Sequence, residues 1–433
     1  AFSYRPTVAL AYFGFLVGIG LLAYPRLLFY LFVLSTAVYF PTLLNNNIAL
    51  NPFDVFLLAL FGVTVLEFLL RGETGIRSTG LDLPFIALII ATIISAVFAH
   101  NRAYAVVPTV RIIVVYIAFR MAFRYAADIG VRRITLFYIY LVVVHSALNI
   151  VLFLAQGGRE RIFGPAWLGY ETLAMTALPM SFAYLIWARR FSERTWFALM
   201  GVIIGIGMLA SGSRGPMLAV VVCIPILLFF AWQKARRERS TTVLRIVRGL
   251  LIPLIVLIAI VIAFQETIFT GVIDRIASLI ESLKNPQETI LLRLVLGKAA
   301  VKAFLSDPLT GIGIGNFRLV DQIVPEMRME PVWFYIRGMS AHNVVLHYLA
   351  ETGLIGTLSL LALAFAGLRS AYRGFRRRMS AYDQQTAAAI FVGMIVFGVT
   401  LLYMRAWTWG QGGFIMAILF GLTAAWNTTR PDP

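Results

Sequence analysis

Charged side chains are scarce in this sequence, and acids are the scarcer kind. Only 13% of its 433 residues are charged, with 20 Asp and Glu against 37 Lys and Arg. A soluble domain carries about a quarter charged residues, so a water-soluble globule is excluded. The single cysteine, Cys223, lies in an apolar run and has no partner for an internal disulfide, so it is silent on redox compartment. No Asp-x-Asp pair occurs, and no His, Cys or carboxylate cluster has the spacing of a metal site. Neither a metal nor a cofactor is therefore expected. Low-complexity tracts, heptads and clear repeats are missing too. The first apolar run lacks a small-residue cleavage site and is not read as a removed signal peptide. "GIGIGNF" (311–317) is only superficially like a nucleotide loop, because it follows no strand and continues into neither a Rossmann nor a P-loop pattern. It reads as a flexible turn. No nucleic-acid module is visible, so nucleic acid is not an expected partner.

What the chain has in abundance is apolar length. Hydrophobic residues make up 60% of it, and the mean hydropathy is +0.85. Runs of about 20 apolar residues, enough to cross a bilayer, recur along most of the sequence. The expected fold is an all-α polytopic membrane protein. Helices are predicted near 26–43, 52–70, 82–99, 104–123, 132–155, 170–188, 195–210, 216–232, 246–264, 343–368, 386–403 and 411–426. With or without the short run 8–23 this makes 13 or 12 transmembrane helices. Three regions follow. Transmembrane helices occupy 1–264, a long helical segment outside the membrane occupies 265–342, and the last transmembrane helices occupy 343–433.

The charges set an orientation. "WQKARRERSTTVLRIVR" (232–248) and "RSAYRGFRRRM" (369–379) are the most basic loops and belong in the cytoplasm. Alternation brings the basic loops "ARRFSERT" and "RYAADIGVRR" to the same side. These loops also suit anionic membrane lipids. Segment 265–342 then falls on the periplasmic side of a bacterial inner membrane. Within it "VIDRIASLIESL" and "ETILLRLVLGKAAVKAFL" read as amphipathic helices lying on or in the bundle.

Charges at the edges of spans are costly and often functional. Arg214 occupies the tight turn "SGSRGPM", beside exposed N–H groups before Pro216. That suits a phosphate, and it equally suits an arginine snorkelling at a helix end. Arg293 shares a helical face with Gly297, Ala300 and Phe304, while Lys298 and Lys302 lie roughly opposite. It is expected to reach into protein or ligand, or to pair with Glu281 or Glu351. Arg111, two turns inside its span, needs a buried partner or a bound anion. Arg337 is an interfacial candidate. Asp54 is the one acid at a periplasmic helix start, where a helix-terminal charge explains it equally well.

"SAHNVVLHYLAETGLIG" (340–356) holds two of the four histidines. His342 follows Ser340, a candidate N-cap, and the positive end of a helix keeps an imidazole neutral. A neutral imidazole is a general base near pH 7. His347 and Glu351 are spaced i, i+4 and can pair with each other. His100 and His145 are read as structural.

Three of these stretches, in this order, resemble the O-antigen ligase/polymerase superfamily. They are "SGSRGPMLAVVV", "LLRLVLGKAAVKAFLSDPLTGIGIGNF" and "AHNVVLHYLAETGLIG", and they lie within residues 200–360. The resemblance implies a GT-C-like membrane fold and an inverting, metal-independent glycosyltransferase acting at the periplasmic face. It implies a glycan on undecaprenyl pyrophosphate as donor and lipid A–core oligosaccharide as acceptor. The family's functional residues carry over to Arg214, Arg293 and His342. Arg111, Arg337, Lys298 and Lys302 are added as substrate-binding candidates, the lysines for the phosphates of the core. A polymerase of the same superfamily would use similar residues on a glycan acceptor. A secondary transporter of an anionic solute is the rival from another class.

Overall fold

A computed structural model describes residues 23–37, 42–45, 48–72, 77–155, 167–211, 225–229, 232, 289–330, 333–377, 380–402 and 411–428. The spans expected at 8–23 and 246–264, most of 216–232, and "VIDRIASLIESL" lie outside them.

The described chain is dominated by helices. These are α1 (Pro25–Ser35), α2 (Pro52–Arg71), α3 (Asp82–Val97), α4 (Arg102–Ile129), α5 (Val131–Ala155), α6 (Trp167–Trp187) and α7 (Phe191–Ser211). After a gap come α8 (Thr289–Ser306), α9 (Val344–Arg376), α10 (Ala381–Thr400) and α11 (Gln411–Thr428). Short helical turns lie between α8 and α9. One departure from the all-α expectation is a β-hairpin, Thr42–Asn45 paired antiparallel with Ile48–Leu50. The sequence reading had run a helix to residue 43. The helix stops at Ser35.

Local chemistry sets the helix ends. Asn101 Oδ1 accepts from Ala103 N–H at 3.0 Å to start α4, and Ser380 Oγ accepts from Asp383 N–H at 3.2 Å to start α10. Pro52 opens α2, and Asp54 accepts from Asn51 N–H at 3.0 Å. Gly72, at φ 67°, closes α2.

Helix α4 is central. It packs on α11 and α3, while α6 packs on α10 and α7, and α9 on α3 and α8. Phe29, Phe32, Phe53, Phe85, Phe119, Phe414 and Phe420 fill one continuous core. Many large apolar side chains point outward instead, among them Leu69, Leu70, Leu83 and Val144. Such wide apolar exposure fits a lipid-facing belt. Among the described residues five helices are long and apolar enough to cross a membrane: Pro52–Leu70, Arg102–Ile129, Val131–Ala155, Val344–Arg376 and Tyr382–Thr400. Three shorter apolar helices accompany them, Pro25–Ser35, Asp82–Val97 and Gly412–Thr428. This is the architecture of a multi-pass helical membrane protein.

The bundle has two chemically distinct ends. At one, Arg26 forks Asp128 at 2.7 and 2.9 Å, Arg120 holds Asp82 at 2.6 Å, and Arg124 pairs with Glu67. The basic loops after α4, α6 and α9 gather there as well, since Arg132 binds Gln385 and the Tyr382 carbonyl, and Tyr382 O–H donates to Glu193. At the other end sit Asp54, His100, the 308–317 loop and the start of α9.

That loop overturns the reading of "GIGIGNF" as a flexible turn. Residues 311–317 are all buried. Helix α9 breaks at Gly353 (φ 60°, ψ −158°), and the loop inserts its backbone into the break. Ile312 N–H and Gly313 N–H donate to the carbonyls of Ala350 and Glu351, each at 3.0 Å. In return Leu354 N–H donates to Pro308 at 2.9 Å and Ile355 N–H to Leu309 at 3.3 Å. Ser95 Oγ donates to Glu351 O at 2.7 Å and accepts from Ile314 N–H at 2.9 Å. A Cβ on Gly353 would overlap the Leu309 carbonyl, and one on Gly311 the Glu351 carbonyl. Glycine is needed for the close approach of two backbones.

Candidate functional site

Helices α8 and α9 form the frame of the site. The C-terminal end of α8 leads directly into the loop that bonds Leu354 and Ile355 of α9, and Gly297 of α8 lies against Leu346 of α9. The two helices are therefore parallel. Arg293 lies in the N-terminal part of α8, and His342 lies two residues before the start of α9.

The structure revises the face assigned to Arg293. The buried face of α8 is Val295, Leu296, Ala299, Ala300 and Ala303, and Arg293 is exposed on its flank. Ala300 and Gly297 of the predicted face do turn towards α9, while Arg293, near the start of α8, stays exposed. Of the two expected acids, Glu351 is bound to His347 and the Phe317 N–H, and Glu281 lies outside the described residues. Arg214 lies outside them too.

Both lysines have carboxylate neighbours. Lys298 pairs with Glu330, and Lys302 lies 3.6 Å from Glu326. Arg337 Nε lies 3.4 Å from Asp321 Oδ2, with Arg328 at 3.8 Å from the same oxygen. Asp321 itself is buried. The sequence reading had not singled it out, because an acid two residues from Leu319 and Ile323 carries no mark of burial. Arg111 has found its buried partner in Asp54 and lies over the Phe414 ring at 5.7 Å. This contact accounts for both residues without a bound anion. Among the described residues no group of three or more His, Cys, Asp or Glu side chains is placed to hold a metal ion.

His342 is half-buried just outside α9 and has φ 51°, the only positive φ among the described non-glycine residues. The N-cap is not Ser340, as expected, but Asn343, whose Oδ1 accepts from Leu346 N–H at 3.0 Å. Asn ranks with Ser at this position, and the three-residue spacing to Leu346 was the legible signal. His342 thus immediately precedes the cap, next to the positive end of the helix. His347 and Glu351 do pair, with Nε2 3.3 Å from Oε2, and both are buried. His145 is buried against Tyr170, with ring centroids 5.0 Å apart.

The apolar helices and their lipid-facing belt define a class: a multi-pass helical membrane protein. Residues 199–361 match the family model described as O-Antigen ligase, which supports membership of the O-antigen ligase/polymerase superfamily. The matched region contains Arg214, Arg293, His342 and the break at Gly353. No curated protein matches the chain. The family implies a glycosyltransferase-like enzyme of the O-antigen pathway, with lipid-linked glycan and lipopolysaccharide substrates in general.

Proposed function

We propose that the chain is an O-antigen ligase of a bacterial inner membrane, with its site on the periplasmic face. It transfers a glycan from undecaprenyl pyrophosphate to a sugar hydroxyl of lipid A–core oligosaccharide. The observation that carries the reading is that Arg293 and His342 both fall inside the matched region, near the N-terminal ends of two helices that pack on each other. His342 takes the proton of the acceptor hydroxyl as its oxygen attacks the anomeric carbon. The bond from that carbon to the pyrophosphate breaks from the opposite side, so the linkage inverts. Arg214 and Arg293 stabilise the charge on the departing pyrophosphate, a task guanidiniums perform bidentately. An exposed Arg293 suits this role, since a lipid-borne phosphate arrives from outside the bundle. Arg337 lies at the same end for the acceptor, while Arg111 moves to a structural role with Asp54. The transfer needs no metal.

The test is the purified protein in defined lipid, given a polyprenyl-pyrophosphate glycan and lipid A–core. Glycan joined to the core supports the ligase reading. Elongation of the donor glycan without transfer to the core would make it a polymerase instead.

A further inference from the structure

Two ionisable side chains lie buried where the proposed chemistry does not use them. His347 is 3% exposed and Glu351 2%. Burying such a pair costs more than filling the space with apolar side chains of similar volume, so its retention calls for a reason. Its contacts supply one. Glu351 Oε1 accepts from Phe317 N–H at 2.9 Å, which ties it to the inserted loop. Its other oxygen faces His347 Nε2 at 3.3 Å. The imidazole edge packs on the Phe317 ring, with centroids 5.1 Å apart. The opposite nitrogen, Nδ1, accepts from the backbone N–H of Ala341 at 3.5 Å. Because Nδ1 accepts, the neutral ring carries its proton on Nε2, the nitrogen that faces the carboxylate.

Ala341 is the residue before His342. On the other side of His342, Asn343 is fastened to Leu346, and Val344 N–H donates to Leu401 O at 2.8 Å. His342 is therefore stretched between two anchors, in a left-handed conformation that a residue with a Cβ resists. We propose that His347 and Glu351 are a positioning pair that holds His342 in this conformation through the Ala341 N–H. Glu351 ties the pair to the inserted loop, His347 holds the turn through Ala341, and the turn aims the imidazole of His342. The inference deepens the reading of His342 as general base and rests on it for its catalytic consequence.

The test uses the full chain in lipid nanodiscs and four variants: His347→Leu, His347→Asn, Glu351→Gln and His342→Ala. Leucine fills the space of His347 without an acceptor. Asparagine places an amide oxygen on the carbon that bears Nδ1 and keeps the contact with Ala341. Two readouts are taken, steady-state kinetics with the polyprenyl-pyrophosphate glycan and lipid A–core, and nitrogen NMR of the labelled histidines, of which there are only four. His347→Leu should lower kcat roughly ten- to a hundredfold, the scale of a misplaced catalytic group, and leave donor KM within about twofold. It should also move the His342 resonances. His347→Asn should recover most of kcat and return those resonances towards wild type, and Glu351→Gln should fall between. The proposal is overturned if His347→Leu keeps wild-type kcat with unmoved His342 resonances. It is equally overturned if the Leu and Asn variants lose activity and melting temperature alike, since a merely structural pair would behave so. Full activity in His342→Ala would instead sink the general-base reading, and the NMR comparison would still decide whether His347 positions His342.

Discussion

His342 and His347 are near neighbours in sequence with opposite surroundings, and their substitutions should differ accordingly. His342 is half-buried at the site mouth, whereas His347 is locked between Glu351 and Ala341. Removing a general base typically costs roughly 10²-fold or more in turnover. His342→Ala should therefore fall by that much while donor binding, measured with a non-reactive analogue, stays near wild type. Arg293 gives a second test at this scale. Lysine keeps its charge and loses the planar fork. If Arg293 acts on the departing pyrophosphate, Arg293→Lys should lower kcat more than it weakens donor binding. Lys298→Ala should do little, because Lys298 is already occupied by Glu330. Retained activity in Arg293→Lys with loss in Lys298→Ala would place the donor on the other flank of α8.

At the scale of elements, the inserted loop and the ion pair between α2 and α4 carry the predictions. Gly353 holds a backbone conformation essentially confined to glycine, and the loop carbonyl of Leu309 leaves no room for a Cβ. The strain alone is worth about 1–3 kcal/mol. Gly353→Ala should lower the melting temperature of the purified protein by several degrees and weaken amide-exchange protection at Ile312 and Gly313. The Arg111–Asp54 pair separates structure from binding. Truncating one partner of a buried pair costs about 3–5 kcal/mol, whereas replacing both is often nearly neutral. Arg111→Met should be strongly destabilising, and adding Asp54→Asn should restore the melting temperature. If activity returns with stability, Arg111 is structural; if stability returns and activity does not, Arg111 contacts the donor.

Across the whole molecule, the proposed transfer uses only fixed side-chain charges at the bundle mouth. Turnover should then survive excess EDTA, and added Mg²⁺ or Mn²⁺ should not raise it. Loss on chelation with recovery by metal would redirect attention to Asp54 and Asp321. The two-ended charge distribution also predicts an orientation. The basic loops after α4, α6 and α9 share one end of the bundle, and Arg293 and His342 lie at the other. A membrane-impermeant thiol reagent applied to intact spheroplasts should label a cysteine placed at exposed Met339 and spare one at exposed Arg369. The reverse pattern would put the site in the cytoplasm.

By itself the sequence determined the solvent of this protein and the approximate place of many of its helices. A chain so apolar, with bases gathered in a few loops, has few ways to avoid water except as helices in lipid. A local signal such as the i, i+4 spacing of His347 and Glu351 acts over one turn and is legible there. The order of motifs around Arg214, Arg293 and His342 was legible in the same way. Tertiary packing decided the rest. That Arg293 stays exposed near the start of α8 depends on how α8 packs on α9. That Arg111 is answered by Asp54, and Lys298 by Glu330, depends on contacts between segments far apart in the chain. The glycines of "GIGIGNF" read equally well as slack or as close packing until the broken helix they enter is seen. Periodicity records which residues share a face, and only a neighbouring element determines what that face meets.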